Sequence, residues 1–361
     1  VIFVAALVPS AAAVTWYTWK WGLGSRLPLA LALGAFFLAV AGGALRMNRA
    51  SGPAVKIGVG ATNDKIELFD SADPLDSVSA ASVYEPIVKQ LAAEGAEIVV
   101  LPEKLCGVTP ATEASIIGLF AQFARDQHVW LVAGLDEVDR QPERNIAAVF
   151  GPDGTLVGTY VKRRLAGEME KTYAAGTDPL VFDPPWGRTA IAIGEDLDFA
   201  PLARELSARK VHLVLAPAWD LGHSGGMHAL MTSTWATEFG IPVARAAREG
   251  SVSLVDTRGR TVADAPVTAG KTAVAVAELH LGAGPTFTVR AGEWFGWLST
   301  LVALGLLVRF GVGALYDRSR DGGRVNWRHI EVAVNRADSD DGKAHSYIDQ
   351  EEEVEVLHYR R

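Results

Sequence analysis

The chain has 361 residues, of which 49% are hydrophobic and 21% are charged, and its formal net charge is −8 at pH 7. This acidic balance, without a basic stripe interleaved with aromatic residues, argues against a nucleic-acid partner. A single cysteine, Cys106, excludes an internal disulfide bond. The mean hydropathy of +0.16 is too high for an ordinary soluble domain and indicates membrane segments.

The first 50 residues contain two apolar stretches, 1–19 and 27–45. The second stretch has no charged residue, and as a helix it would be about 28 Å long, which is enough to cross a bilayer once. We therefore expect two transmembrane helices in residues 1–50. Because the chain starts inside an apolar run, we also expect these helices to close a longer membrane region.

Residues 51–291 form the predicted central domain, in which short apolar runs alternate with amphipathic stretches. Strands are predicted at 55–60, 97–101, 129–134, 145–150, 155–161, 189–193, 211–216 and 243–246, a hairpin at 252–262, and helices at 78–94, 112–127, 202–208 and 228–239. Strands that alternate with helices, with hairpins between some of them, predict an α/β domain whose helices cover its sheets.

The last part of the chain is predicted to contain one more transmembrane helix, at 292–317, and an acidic, largely disordered tail at 318–361. Lysine and arginine residues lie between the first two spans and directly after the last one, as Lys20, Arg26, Arg318, Arg320, Arg324 and Arg328. Positive charge favours the cytoplasmic side. We therefore expect a multi-pass protein of the inner cell membrane with an extracytoplasmic central domain and a cytoplasmic tail.

Three predicted strand ends carry the residues of a candidate catalytic site. Glu103 follows the apolar run 99–102, Lys162 follows 158–161, and Gly194 ends the run 190–193. A carboxylate and an amine at such positions suit acyl transfer when the third strand end carries a thiol. The carboxylate then takes the thiol proton, and the ammonium stabilises the oxyanion. Glycine at position 194 supplies no such nucleophile.

The order and spacing of these motifs resemble the carbon–nitrogen hydrolase (nitrilase) superfamily, and within it the membrane-bound apolipoprotein N-acyltransferase group. Residues 192–199, A-I-G-E-D-L-D-F, are similar to the family pattern I-C-x-[DE]-x-x-F, with Gly194 at the cysteine position. The resemblance runs from about residue 55 to 281 and includes A-P-A-W-D at 216–220. It departs from the family at Gly194, at Trp235, where an arginine-like position is lost, and in a shortened loop after Lys162.

The resemblance implies a nitrilase-like α-β-β-α four-layer sandwich, flanked here by transmembrane helices. It implies a catalytic set of Glu103, Lys162, Gly194 at the nucleophile position, and Glu170 as a second carboxylate, with Glu168 as the rival. Substrate contacts are expected from Glu195, Asp196 and Trp219, with His223 and His228 also near the substrate entrance. Met227 and Trp235 are expected to be packing residues or an apolar lip near the membrane. No metal or cofactor is implied. Cys106 is expected to be a small buried core residue.

The resemblance implies transfer of a fatty acyl group from a phospholipid donor to the N-terminal amine of a lipoprotein acceptor. This activity would be absent or impaired with Gly194 in place of cysteine. Two alternatives stay open at this point. The chain could be a pseudoenzyme that serves as a binding or scaffold module of the cell envelope, or a membrane-tethered amidase.

Overall fold

A computed structural model describes residues 2–20, 26–47, 52–220, 225–268, 270–282, 284–292 and 294–320. Nearly all of the predicted acidic tail, together with His223, lies outside the described residues. The chain divides into two compact units, Val1–Gly292 and Glu293–Arg361.

The helices are α1 (Ile2–Lys20), α2 (Leu27–Met47), α3 (Pro74–Ser82), α4 (Glu85–Ala93), α5 (Glu113–Gln127), α6 (Ala200–Ala208), α7 (Gly225–Phe239), α8 (Phe287–Ala291) and α9 (Trp294–Arg320). The strands are β1 (Ala54–Ala61), β2 (Ile98–Val100), β3 (Gly107–Val108), β4 (Trp130–Glu137), β5 (Arg144–Phe150), β6 (Leu156–Val161), β7 (Val181–Phe182), β8 (Thr189–Ile191), β9 (Leu213–Trp219), β10 (Val243–Arg248), β11 (Ser251–Val255), β12 (Thr261–Pro266) and β13 (Ala273–His280).

In the first unit, α1 and α2 pack against each other. The described part of the second unit is the helix α9. Among the described residues, no helix combines the length and the apolar sequence that a membrane crossing requires. The three transmembrane spans predicted from the sequence are therefore not confirmed.

The strands of the first unit form two mixed sheets. The first has the order β13-β1-β2-β4-β5-β6, with β3 paired to β4, and the second has the order β12-β11-β10-β9-β8-β7. In the first sheet β1, β2 and β4 run parallel, and in the second β8, β9 and β10 do. The carboxyl ends of these central strands therefore share one edge in each sheet.

Alternating side chains explain how the layers pack. In β2, Ile98 and Val100 face the core between the two sheets, whereas Val99 faces α4 and α5. In β9, Leu215 faces the core between the sheets and Val214 faces α6 and α7. Helices α3–α5, the first sheet, the second sheet and helices α6–α7 thus form four layers. The predicted α-β-β-α sandwich is confirmed.

One helix prediction was wrong, and the short strands β3 and β7 and the long strand β13 were missed. The single helix predicted at 78–94 is two helices, because Pro86 lies in the first turn of α4, where its missing N–H is tolerated. Strand β13 was missed, although it pairs with β1 along its whole length from Ala273 to His280. Only the antiparallel contact with β1 reveals it as part of the first sheet.

Candidate active site

Glu103 lies just beyond β2, where the two sheets come together. Its backbone N–H donates to the carbonyl oxygen of Ala218 in β9 at 3.3 Å, so the chain after β2 in the first sheet is joined to the second sheet. The Glu103 residue is 3% exposed. Its Oε1 accepts a hydrogen bond from Lys162 Nζ at 2.8 Å. The two residues predicted from separate strand ends are therefore in direct contact.

Lys162 also contacts the second carboxylate. It directly follows β6, and its Nζ lies 3.0 Å from Glu170 Oε2. Glu170 ends the 3₁₀ turn Gly167–Glu170, and the Ala166 N–H donates to the same oxygen at 2.7 Å. Glu168 in that turn is exposed and pairs with Lys171 at 3.5 Å. The structure therefore brings Glu170, and not its rival Glu168, into the site.

Two further polar residues complete this cluster, and the sequence analysis missed both. The Asn145 side chain donates to Glu103 Oε1 at 2.6 Å and to Glu170 Oε1 at 2.7 Å. Lys104 Nζ lies 3.2 Å from Glu170 Oε1. Asn145 could have been inferred from strand pairing, because β5 lies beside β6 and the Lys162 N–H donates to the Asn145 carbonyl oxygen at 2.8 Å.

The buried charges shift each other's pKa values. Burial opposes the charged form of Lys162, but Glu103 and Glu170 outweigh it and raise the lysine pKa. Burial would likewise raise the pKa of Glu170, but the ammonium groups of Lys162 and Lys104 and two hydrogen bonds lower it to about 2. At neutral pH Glu170 is therefore ionised and Lys162 carries its positive charge.

Asp136 is the exception in this cluster. It is fully buried, with Tyr173 donating to one carboxylate oxygen at 2.9 Å and Lys104 Nζ lying 3.8 Å from the other. Desolvation by burial raises the pKa of Asp136 to about 7 in spite of both neighbours. Lys104 lies 3.8 Å from the centre of the Tyr173 ring, so the aromatic face also holds its ammonium group.

Gly194 lies where the acid and the amine converge. It begins the 3₁₀ turn Gly194–Asp198 after β8, with a backbone φ of 47°. A Cβ built on this backbone would lie 2.7 Å from Glu103 Oε2 and 3.5 Å from Lys162 Nζ. The left-handed conformation is one that glycine adopts without strain. The structure thus brings Glu103, Lys162 and the Gly194 backbone together, as predicted.

Asp196 was expected to contact substrate, but its carboxylate is fully buried and bonded within the protein. One oxygen accepts from the Tyr160 hydroxyl at 2.8 Å and from the Ile193 N–H at 2.9 Å. The other accepts from the N–H groups of Arg163 and Arg164 at 3.1 and 2.8 Å. Asp196 therefore ties the chain after Lys162 to the Gly194 turn, which is a positioning role.

The cluster opens into a cavity of about 610 Å³ that is lined by Glu103, Lys162, Glu170, Gly194, Glu195 and Trp219, among others. Glu195 is half-buried, and desolvation together with neighbouring carboxylates raises its pKa. The Trp219 indole N–H donates to Glu249 at 3.0 Å, and the Arg248 guanidinium lies 5.0 Å from the indole ring. Two of the three predicted substrate contacts, Glu195 and Trp219, thus face the cavity.

Arg245 and Arg248 are further charged residues that the sequence analysis did not single out. Arg245 lines the cavity and forms a buried bidentate pair with Asp220. Arg248 donates to the carbonyl oxygens of Glu103 and Lys104, so it fixes the backbone that presents both side chains. Both arginines belong to β10, whose carboxyl end lies at the same edge as the site.

Cys106, Trp235, His228 and Met227 lie in different surroundings. Cys106 is completely buried in the core beneath α3–α5, and desolvation raises the pKa of its thiol, as expected for an inert core cysteine. Trp235 packs in the core below α7. His228 lines the cavity and lies 3.5 Å from Asp198, whereas Met227 is exposed. Within the described residues, no group of three or more His, Cys, Asp or Glu residues could hold a metal ion.

The carbon-nitrogen hydrolase family profile matches residues 75–283, which is more than half of the chain. The chain belongs to the carbon-nitrogen hydrolase family. The resemblance inferred from the sequence motifs is confirmed at this level.

Two groups of relatives in this family are similar to the chain. Omega-amidase NIT2 of Homo sapiens is 29% identical over 212 residues, which cover 53% of this chain and 76% of that protein. An apolipoprotein N-acyltransferase of Geobacter metallireducens is 25% identical over 255 residues, which cover 62% of this chain and 48% of that protein. The chain thus spans about half the length of this acyltransferase.

Solved structures of the family share the fold. An amidase from Nesterenkonia sp. superposes with a TM-score of 0.54 at 20% sequence identity, covering 64% of this chain and 92% of that one. A structure of a mutant of the amidase from Nesterenkonia sp. AN1 shows the acetamide moiety of fluoroacetamide added covalently at the active-site cysteine. At this identity the likeness supports the fold alone.

The arrangement in this family member can hold a polarised carbonyl group. An ammonium group has three N–H donors. Lys162 directs two of them to Glu103 and Glu170, which leaves one for a ligand in the cavity. A charged donor in a site that excludes much of the water interacts strongly with a carbonyl oxygen.

Proposed function

We propose that this protein binds an acyl group through its carbonyl in the Glu103–Lys162–Glu170 cavity and forms no covalent acyl-enzyme. In this proposal Gly194 occupies the position at which related enzymes carry their nucleophilic cysteine. One observation carries this proposal. A Cβ built on Gly194 would lie 2.7 Å from Glu103 Oε2 and 3.5 Å from Lys162 Nζ. A base and an oxyanion donor without a nucleophile can bind a carbonyl but cannot form a bond to it.

We propose a fatty acyl chain, supplied by a phospholipid, as the ligand, and the N-terminal amine of a lipoprotein as the natural acceptor in active relatives. The distant N-acyltransferase relative supports this choice. So does the apolar side chain of Met169, which lines the cavity and is 58% exposed.

An amidase-like ligand is the second candidate. The human omega-amidase supports it, because this relative has the higher identity and the match covers more of its length. A short amide would fill only part of a cavity of about 610 Å³ and would leave the Met169 side chain in its wall without a contact. We therefore rank the acyl chain above the short amide.

We further propose that the protein is attached to the inner cell membrane, with its central domain outside the cytoplasm. Support comes from large apolar side chains exposed along two helices. On α2 these are Leu31, Phe37 and Leu38, and on α9 they are Trp297, Leu301 and Leu307. Extraction of isolated membranes with alkaline carbonate tests this proposal. Release of the whole protein into the supernatant would contradict it.

Equilibrium binding tests the proposed ligand. We expect saturable binding of a labelled diacyl phospholipid that Lys162→Met weakens at least tenfold, since one charge-assisted hydrogen bond is lost. Lys171→Met changes an exposed lysine nine residues further along the chain, serves as the matched control and should bind normally. A short amide that competes fully at equal concentration would favour the amidase-like alternative.

Mass measurement of the intact protein tests the absence of a covalent step. After incubation with the labelled phospholipid, we expect an unmodified mass. A hydroxylamine-sensitive adduct on Cys106 would overturn both the non-covalent proposal and the core role of that residue. If Lys162→Met does not fold, competition by unlabelled phospholipid on the unaltered protein still decides whether the binding is specific.

A further inference from the structure

Lys104 is a second buried lysine in the cavity wall, directly after Glu103. It is 5% exposed, and its backbone φ of 50° is one that residues with a side chain rarely adopt. Arg248 holds the backbone here by donating to the Lys104 carbonyl oxygen. Backbone strain of this kind is concentrated at functional positions, so the direction of the Lys104 side chain needs an explanation.

The Lys104 ammonium group is directed to protein groups on three sides. Its Nζ lies 3.2 Å from Glu170 Oε1, 3.8 Å from Asp136 Oδ1 and 3.8 Å from the centre of the Tyr173 ring. Glu170 lies between two ammonium groups, because Lys162 Nζ is 3.0 Å from its other oxygen. Any influence of Lys104 on a ligand at Lys162 therefore passes through Glu170.

The two oxygens of Asp136 have different surroundings. One accepts a hydrogen bond from the Tyr173 hydroxyl at 2.9 Å. The other, Oδ1, is buried and has no hydrogen-bond partner among the described residues, and Lys104 is the cation beside it. A buried charged oxygen without a hydrogen bond is costly. Ionisation of Asp136 therefore draws the Lys104 ammonium group toward Oδ1 and away from Glu170.

We propose that Lys104 is a positioning residue for the carbonyl ligand and that it transmits the charge state of Asp136 to Lys162. The inference rests on the proposed function, because it requires a carbonyl group held at Lys162. With Asp136 neutral, Lys104 shares Glu170 with Lys162, and the third Lys162 N–H is directed to the ligand. With Asp136 ionised, Glu170 draws more strongly on Lys162, and the hydrogen bond to the carbonyl oxygen is weaker.

Burial sets the direction of the resulting pH dependence. Desolvation raises the pKa of Asp136 to about 7, so ligand affinity should fall as the pH rises through this value. The titratable and charged groups that face Asp136 are Lys104, Cys106, Glu143, Glu170 and Tyr173. The pKa of Glu170 is lowered to about 2, and burial raises the pKa values of the Cys106 thiol and the Tyr173 hydroxyl further above neutral. These three groups therefore keep their charge near pH 7.

Equilibrium binding of labelled phosphatidylcholine tests this inference, because the charges of this lipid stay constant near neutral pH. We expect the affinity of the unaltered protein to fall at least about fivefold between about pH 5 and 9, which is the lower end of typical coupling between two sites. Asp136→Asn should keep the high affinity at every pH. Lys104→Met should bind weakly at every pH, whereas a lysine with only a structural role would leave the pH dependence in place. Asp126→Asn, the same substitution at an exposed residue of α5, is the matched control and should keep the full pH dependence.

The outcomes separate this inference from the proposed function. Absence of binding at every pH would contradict both, whereas binding without a pH dependence overturns the inference alone. A dependence that persists in Asp136→Asn also overturns it, because another group in the cavity wall, such as His228, would then be the cause.

A measurement on the unaltered protein decides the question if the variants do not fold. Coupling is reciprocal, so saturating lipid should raise the pH at which Asp136 loses its proton. The pH-dependent part of the free energy of unfolding should then move to higher pH. A pH profile that saturating lipid leaves in place overturns the inference.

Discussion

Replacing Gly194 with cysteine should create an acyl-enzyme. The new Cβ would lie 2.7 Å from Glu103 Oε2 and 3.5 Å from Lys162 Nζ, so the thiol would have a base and an ammonium group in direct reach. A thiol beside a lysine has a pKa below its usual value of about 8.5 and is therefore more often ionised at neutral pH. The other parts of a carbon-nitrogen hydrolase site are already in contact.

The substitution has a cost that the structure allows us to bound. A residue with a side chain at a φ of 47° loses about 1–2 kcal/mol relative to glycine. The 2.7 Å contact is too short for a Cβ, but its partner is the end of a flexible side chain and can move by a few tenths of an ångström. We expect the melting temperature to fall by about 2–8 °C for a domain of this size. The expected gain in the rate of acyl transfer is on the order of 10⁶, because the cysteine would supply the nucleophile that completes the catalytic unit.

Intact mass measurement after incubation with a labelled acyl ester is the assay. We expect a hydroxylamine-sensitive adduct on residue 194 of Gly194→Cys. Gly194→Ala has the same backbone strain without the thiol and should give none. The double variant Gly194→Cys with Glu103→Gln should acylate far more slowly. A folded Gly194→Cys protein that binds the ester and yet remains unmodified would refute the geometric argument, because base, donor and nucleophile would all be present without reaction.

Three other predictions concern the charges around the site. Asp196→Ala should lower the free energy of unfolding in urea by about 3–5 kcal/mol, because the Tyr160 hydroxyl and three backbone N–H groups lose a buried acceptor; a loss below about 1 kcal/mol would contradict this role. The pKa of Glu170 is lowered to about 2, so its share of stability is present above about pH 4.5 and is lost as the pH falls toward 2; Glu170→Gln should remove this part of the acid transition. The pKa of Asp136 is raised to about 7, so between about pH 4 and 7 the folded state binds a proton that the unfolded state has lost. The free energy of unfolding should therefore fall as the pH rises through this range. This pH dependence should disappear in Asp136→Asn, and its persistence there would exclude Asp136 as the cause.

The layers of the fold could be predicted because they follow from local sequence. Apolar residues on both faces of a short strand, as in Ile98–Val100, indicate a strand buried between two layers. Glu103, Lys162 and Gly194 could be predicted for a related reason. Glu103 and Gly194 each come three residues after such a strand, and the carboxyl ends of the central parallel strands meet at one edge of a sheet. Lys162 directly follows β6, an edge strand that pairs antiparallel with β5, and its place in the site was implied by the family resemblance.

The remainder of the site depends on contacts that no local pattern encodes. Asn145 lies at the start of a strand, and its contact with Glu103 and Glu170 becomes visible only when β5 pairs with β6. The sequence also places Asp196 next to Glu195 in one acidic turn. The backbone of the turn directs Glu195 to the cavity and Asp196 into the protein, and two adjacent carboxylates therefore have different roles.

The buried charges support the proposal that the cavity binds a ligand. Replacing a buried ion pair by apolar residues of similar volume is often neutral or stabilising, so stability alone does not explain Glu103, Lys162 and Glu170. Asn145 and Lys104 add further polar contacts that hold the two carboxylates in fixed directions. Such a network is useful where a ligand must be oriented, and its carboxylate Oε2 and ammonium Nζ both face the cavity at Gly194. Under the proposed function, glycine at position 194 excludes a covalent step there, and the remaining charged groups are those that would hold a carbonyl group.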